Sequence, residues 1–225
     1  MSGDDGVLEV RRPGRMPYGE AAELQTRLVA MRRAGEIPDQ LLLLEHPHVI
    51  TMGTGSDPDH LVADEAVREK LGVELHESTR GGDVTYHGPG QLVGYPILDL
   101  KPDRKDLHRY LRDLEEVLIQ VLAEYGIEGW RSEGYTGVWT DAGKVAAIGV
   151  RVSSGWITSH GFALNVATDL GYFRTIVPCG ITDRNVTSME HLLRQAPAMD
   201  DVMLHTARTM GRVFDREIRA RSGLP

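Results

Sequence analysis

The chain carries one cysteine, Cys179, in the stretch "TIVPCGITDR". Pro178 before it and Gly180 after it put it on a loop or tight turn, not inside a helix. A free cysteine is either a small buried hydrophobe or a nucleophile, and nucleophiles tend to sit on turns between rigid elements. A nucleophilic cysteine needs help. The thiol titrates at about 8.5 in model peptides and only the thiolate attacks. The residues that could supply that help are His87 and His160, a weaker pair in His46 and His48, and Lys144. Lys144 follows the turn signal Asp141-Ala142-Gly143 and heads the apolar run "KVAAIGVRV". It is either held in an apolar strand or merely flanks the turn in solvent, and pattern alone favours the second. The pair "HPH" at 46–48 suggests a metal, but no third ligand of clear spacing accompanies it, so no metal site is expected.

A second concentration of chemistry is "RGGDVTYHGPGQ", residues 80–91. Glycine loses the most backbone entropy on folding, so Gly81, Gly82, Gly88 and Gly90 together need a reason. Phosphate is not that reason. The spacing of neither a P-loop nor a dinucleotide fingerprint is present, and Gln91 opens an apolar, strand-like run instead of a helix. A hairpin needs only one or two glycines. The run reads as a wall of exposed backbone amides lining a ligand channel.

The elements that must position these residues are legible in outline. A helix is expected over about Tyr18 to Ala34, and "QLLLLE" reads as a central buried strand. A short helix is expected over Leu61 to Leu71, ending at Gly72, and "VELHEST" as a strand leading into the glycine-rich loop. From Lys105 to Tyr125, Leu107, Tyr110, Leu111, Leu114, Val117, Leu118, Val121, Leu122 and Tyr125 recur at three- and four-residue steps on one helix face. The Val-, Ile-, Thr- and Trp-rich stretch 136–166 reads as an antiparallel meander. Thr187-x-x-Glu190 reads as a capping box, and Met203, Ala207, Met210 and Phe214 mark a last helix. Strands and helices mixed in this way give an α+β, or mixed α/β, class built around one large sheet flanked by helices.

Bulk properties exclude several classes. The 225 residues suit one domain, residues 1–225 with a core from about 18 to 220, and 41% hydrophobic content is enough for a sizeable core. A net charge of −8 argues against a nucleic-acid-binding face. No apolar run is long enough for a membrane span, and the N-terminus lacks the order of a signal peptide. A lone cysteine fits a reducing, cytoplasmic setting.

The segments "RGGDVTYHGPGQLVGYPILDL", "GKVAAIGVRV", "SHGFALNV" and "PCGI", in this order, closely resemble the octanoyltransferases of lipoic acid assembly, from about Glu45 to Leu193. The resemblance implies the biotin/lipoate protein ligase fold and a Cys179/Lys144 pair that carries an acyl thioester. It implies an acyl-binding wall made of Arg80, Gly81, Gly82, Asp83, Val84, Thr85, Tyr86 and His87, with Ala147, Ile148, Gly149, Gly161, Phe162 and Ala163; His160 is a supporting candidate. The implied donor is octanoyl-acyl carrier protein. The implied acceptors are apo lipoyl domains of 2-oxoacid dehydrogenases and the glycine cleavage H protein. The thioester supplies the energy, so no cofactor is expected, and neither a nucleic-acid nor a membrane partner; a monomer is expected. Burying seven carbons of such a chain would contribute roughly 5 kcal/mol. An ATP-dependent ligase of the same fold, a cysteine thioesterase and a non-catalytic acyl-binding module are the rival readings. Docking of acidic partners on a net-negative chain calls for a local basic patch, with Arg104, Lys105, Arg109 and Arg112 as candidates.

Overall fold

The four leucines of β2 (Asp39–Glu45) are all fully buried, which requires cover on both faces of the strand. Leu41 and Leu43 point into one core, against α3 (Leu107–Ala123) and α5 (Met199–Phe214). Leu42 and Leu44 point into a second core, under α1 (Tyr18–Ala34). The computed structural model describes residues 6–177 and 185–223, and β2 lies near the middle of a mixed eight-stranded sheet. The strand order is β11 (Glu217–Ala220), β1 (Val7–Arg15), β2, β6 (Gln91–Ile97), β10 (Thr158–Asn165), β9 (Gly143–Val152), β8 (Tyr135–Thr140), β7 (Trp130–Ser132). β1 runs parallel to β11 and β2, and the remaining pairs are antiparallel. The α+β class with one large helix-flanked mixed sheet is therefore as expected. Among the described residues no helix is long and apolar enough to cross a membrane.

Local signals explain most element ends. Asp106 caps α3 by accepting from the backbone N–H of His108 and Arg109, and the helix stops at Ala123, two residues short of the expected Tyr125. α2 (Glu65–Leu71) is shorter than the expected Leu61–Leu71 because Asp64 caps it, while Leu61 is drawn into a bridge with Ile176. The expected capping box is replaced by a plain N-cap one residue later. Ser188 accepts from His191 N–H at the start of α4 (Met189–Leu193), while Glu190 N–H donates to Val166 O and the Thr187 hydroxyl is buried without a partner among the described residues.

Two features escaped the sequence reading. β1 and β11 lie in termini without a diagnostic motif. The strands around the glycine-rich loop leave the large sheet: β3 (Val49–Met52), β4 (Glu74–Glu77) and β5 (Thr85–His87) form a separate three-stranded sheet in the order β4-β3-β5. Its own small core holds Ile50, Val73, Val84, Tyr86 and Ile176.

Within the large sheet Gly94 stands opposite Phe162. The Phe162 ring occupies the space a side chain at 94 would need, with Cε2 at 2.6 Å from an added Cβ. Gly94→Ala is expected to destabilise the fold by about 1–3 kcal/mol, because the ring must leave its rotamer. Thermal unfolding should show a drop of several degrees, and an unchanged midpoint would mean that the ring is not pinned there.

Candidate active site

β9 and β10 pair so that Gly149 faces Gly161 and Ala147 faces Ala163. Directly opposed residues share a sheet face, so four residues with little or no side chain make one smooth patch. Their neighbours Ile148, Phe162 and Leu164 turn the other way, into the core under α3 and α5. The patch is part of the wall of a cavity of about 510 Å³, a size suited to a small organic ligand. The loop after β4 closes over it. Gly81 N–H donates to Val150 O at 2.9 Å, while Arg80 O and Gly82 O accept from Thr54 and Gly55 N–H, each at 3.0 Å. Arg80 is only 8% exposed, and its guanidinium donates to Thr51 O at 2.7 Å and to Thr51 Oγ1.

Lys144 also lines the cavity. Simple alternation from Ala147 and Gly149 would turn it away. The pairing with β8 corrects that: Val138 faces Ala146, but the next residue, Trp139, faces Lys144, so β9 spends one extra residue at Val145. This bulge turns Lys144 to the face opposite Ala146 and leaves Val145 in the core. Lys144 is 8% exposed, which overrules the solvent-flanking reading. Its Nζ stands 5.3 Å from the centroid of the Trp139 ring, within cation–π range. Its stem crosses Gly137, where an added Cβ would lie 2.8 Å from Lys144 Cε. Gly137 has φ +118° and donates its N–H to the fully buried Glu115, which also pairs with Arg112 and Arg131.

Beside the charged Arg80, Asp83 and Lys144, several polar groups in and behind the wall are neutral and engaged in hydrogen bonds. Tyr18 donates to Ser78 Oγ at 2.7 Å. His46 Nδ1–H donates to Met16 O at 2.6 Å, so its Nε2 accepts from the Tyr95 hydroxyl at 2.7 Å. His160 holds a left-handed backbone at φ +55°, donates its backbone N–H to Gln25 Oε1, and places Nε2 3.0 Å from Thr79 Oγ1. Burial pushes His46 and His160 down to about 4, with His76 adding to the effect at His46, and Arg80 and Arg151 at His160. His87 is pushed down to about 3 by burial and by the neighbouring His46.

Every residue expected in the wall lines the cavity except Tyr86, as do Lys144 and His160. Tyr86 instead stacks on Tyr172, with ring centroids 5.2 Å apart, inside the small sheet's core, and its hydroxyl meets His48 Nδ1 at 2.7 Å. The glycine-rich run is only half a ligand wall. Gly81 and Gly82 line the cavity, but Gly88 is a glycine because the Tyr86 hydroxyl fills its side-chain space, and Gly90 because Ala167 O does. Cys179 lies outside the described residues. Of the four basic-patch candidates, Lys105, Arg109 and Arg112 are exposed and Arg104 is not. Arg104 is 7% exposed and paired with Asp113 at 2.6 Å, Arg112 is paired with Glu115, and Arg109 lies near Asp113. Tyr18, Tyr95, Leu107, Leu111, Gly134, Tyr135, Thr136 and Val150 line the cavity too and were not foreseen. Leu107 and Leu111 carry only the ordinary helix-face signal. Among the described residues no group of three His, Cys, Asp or Glu is placed to hold a metal ion.

The depressed histidines make stability depend on pH. An unfolded imidazole titrates at about 6.5, so between that value and the folded one the unfolded chain binds more protons. Stability is then complete above the unfolded value and is lost as pH falls. For His160 the loss between pH 7.5 and 5.0 is about 2 kcal/mol. In His160→Asn, which keeps a residue tolerant of positive φ, urea unfolding at these two pH values should differ by about 2 kcal/mol less than in the wild type. An equal pH dependence in both proteins would mean that His160 titrates normally.

Comparison with known proteins agrees with this geometry. The family model described as the lipoyl protein ligase A/B catalytic domain matches residues 17–211. The octanoyltransferase of Rubrobacter xylanophilus is 60% identical over 194 residues, covering 85% of this chain and 87% of that protein. The octanoyltransferase of Solibacter usitatus is 51% identical over 209 residues, covering 93% and 94%. Among solved structures, lipoate-protein ligase A bound with ATP superposes with a TM-score of 0.77 at 17% identity, covering 96% of this chain and 88% of that one. Biotin protein ligase from Aquifex aeolicus superposes with a TM-score of 0.52 at 13% identity, covering 93% and 68%. At such identities the structures speak for the fold, and the sequence matches carry the assignment: the chain belongs to the lipoyl protein ligase A/B catalytic-domain family.

Proposed function

We propose that this chain is an octanoyltransferase that moves an octanoyl group from the thioester of an acyl carrier protein to a lysine ε-amine of an apo lipoyl domain, through a thioester on Cys179. Octanoyl transfer is supported by relatives named octanoyltransferases at 49–60% identity over most of the chain. The observation that carries the mechanism is the buried Lys144 on the cavity wall. The described residues that flank Cys179 in sequence are tied to that wall. Val177 N–H donates to His60 O, and His60 pairs with the cavity residue Asp83. On the other side, Asn185 O accepts from Lys144 N–H at 2.9 Å.

In the first step the Cys179 thiolate attacks the octanoyl carbonyl. The new C–S bond forms, the carrier's C–S bond breaks, and the carrier sulfur takes a proton from the Lys144 ammonium. In the second step the acceptor amine attacks the enzyme thioester. The C–N bond forms, the Cys179 sulfur leaves as thiolate, and the released amine proton returns to Lys144. The smooth patch of Ala147, Gly149, Gly161 and Ala163 suits an unbranched acyl chain. Each methylene buried there is worth about 0.8 kcal/mol, or roughly fourfold in affinity.

Mass spectrometry of intact enzyme after incubation with octanoyl-acyl carrier protein should show one added octanoyl group in the wild type and none in Cys179→Ala. Exhaustively desalted enzyme should complete the transfer to an apo lipoyl domain without nucleotide. Wild-type transfer rates in the alanine variant, or a strict need for ATP, would overturn the reading, the latter in favour of a ligase.

Lys144 is separately testable. A cation within about 4–6 Å favours a thiolate and lowers the cysteine pKa. Arginine retains that effect but stays protonated and cannot relay a proton. Lys144→Arg is therefore expected to keep part of the Cys179 alkylation rate at neutral pH and lose nearly all turnover, and Lys144→Ala to lose both. An alkylation-versus-pH profile in Lys144→Ala that overlays the wild type would remove the electrostatic role.

A further inference from the structure

A chain of buried side chains runs from the strand that carries Lys144 to the cavity histidine His87, and every hydrogen bond in it has a fixed direction. It begins at Thr187, whose N–H donates to Lys144 O at 2.9 Å. Thr187 O can only accept, so the group of Asn165 at 3.0 Å from it is the amide nitrogen. Asn165 Oδ1 therefore faces Gln91 and accepts from Gln91 Nε2 at 2.9 Å. The second proton of that nitrogen goes to Tyr86 O at 3.2 Å, another group that can only accept. Gln91 Oε1 is left facing His87 Nδ1 at 2.7 Å, so Nδ1 must be the protonated nitrogen. Gln91, Asn165 and His87 are all nearly inaccessible to solvent. His87 Nε2 consequently carries no proton, and it makes no hydrogen bond among the described residues although the residue lines the cavity.

A bare, unpaired ring nitrogen at a cavity wall is a site for a donor. The carbonyl of an acyl thioester offers none, whereas an attacking amine does. We infer that Gln91 and Asn165 are positioning residues that lock His87 in the tautomer whose Nε2 accepts a hydrogen bond from the amine attacking the acyl-enzyme. The inference rests on the acyl-transfer reading above. His87 holds the N–H and aims the nitrogen lone pair at the carbonyl; the C–N bond forms, the C–S bond breaks, and the proton passes to Lys144, not to the imidazole. Burial that keeps the imidazole neutral also keeps Nε2 available at all working pH values. The first half-reaction brings no amine to this acceptor.

Two measurements test this. In enzyme labelled with nitrogen-15 in its histidines, with His87 assigned by the His87→Leu difference spectrum, the resting protein should show Nδ1 protonated and Nε2 bare. The opposite tautomer overturns the relay, whatever the enzyme's reaction. In single-turnover kinetics, Gln91→Met should slow transfer from the pre-formed octanoyl-enzyme to a lipoyl domain about tenfold. It should change the rate of enzyme acylation by less than about twofold. Equal losses in both half-reactions would reduce Gln91 to an ordinary packing role and overturn the inference. If Gln91→Met does not fold, the same split of rates is read from Asn165→Leu. A wild type that forms no octanoyl-enzyme at all would sink the acyl-transfer reading and the amine with it, while the spectrum still decides the tautomer.

Discussion

One extra residue in one strand decides whether this sheet carries a reactive wall or a plain core. At β8–β9 the register advances by one residue on one strand and two on the other, and Lys144 turns away from the core face that Ala146 keeps. Without the bulge, the lysine would point at the packing under α3 and α5. Its stem would then lie among leucines and valines, where an ammonium is strongly disfavoured. Several neighbours serve the arrangement. Gly137 has no side chain because its φ of +118° and the Ala146 carbonyl leave no place for one, the lysine stem passes over it, and Glu115 fixes it by accepting its N–H. Asn185 and Thr187 clamp the lysine's own backbone, each through one hydrogen bond of 2.9 Å. The extra residue is tolerated because these backbone groups find partners outside the sheet.

The glycines divide by the same accounting. Gly149 and Gly161 are small because backbone occupies the space a side chain would need: Gly81 O at 3.0 Å from a would-be Cβ at 149, and Gly94 O at 161. That is a demand of protein against protein. The smooth wall patch is a consequence, since neither position has room for a side chain. Packing and ligand access thus select the same residue type at the same positions. The loop holding Arg80 lies over β9 because both chains have shed their side chains there, and the guanidinium is spent on Thr51 instead of projecting outward.

How much of this could be read from the sequence follows from which signals are local. Helix α3 was legible because its apolar residues repeat along one face. The burial of β2 on both faces was legible in four consecutive leucines. The separate small sheet was not, since "VITM", "ELHE" and "TYH" are short strands whose pairing partners are set by tertiary contacts. The wall residues came from motif resemblance, and the structure gathers all but one of them at one cavity. Tyr86 is the exception because strand alternation between Thr85 and His87 turns its ring to the opposite side, a two-residue periodicity that a motif read as a block conceals. Lys144 could not be placed from pattern, because a bulge looks the same in sequence as a regular strand.

The character of the wall bears on how a thioester would survive there. Water persists in a cavity when it finds two to four polar partners. Here the polar side chains are largely paired with one another: Tyr18 with Ser78, Tyr95 with His46, His160 with Thr79, His87 with Gln91. Their imidazoles are held neutral by burial, so they do not demand hydration as charged groups would. An acyl chain on the Ala147–Gly149–Gly161–Ala163 patch would add apolar surface and leave water still fewer partners. On the proposed mechanism, an amine and a water molecule compete for the same carbonyl, and the wall discriminates by what it leaves unsatisfied. The bare acceptor at His87 Nε2 serves an N–H arriving from outside on its own tether, while a free water needs two to four polar partners. Selectivity for the amine then comes from the scarcity of open hydrogen-bonding sites, the same economy that buried polar groups observe throughout a protein core.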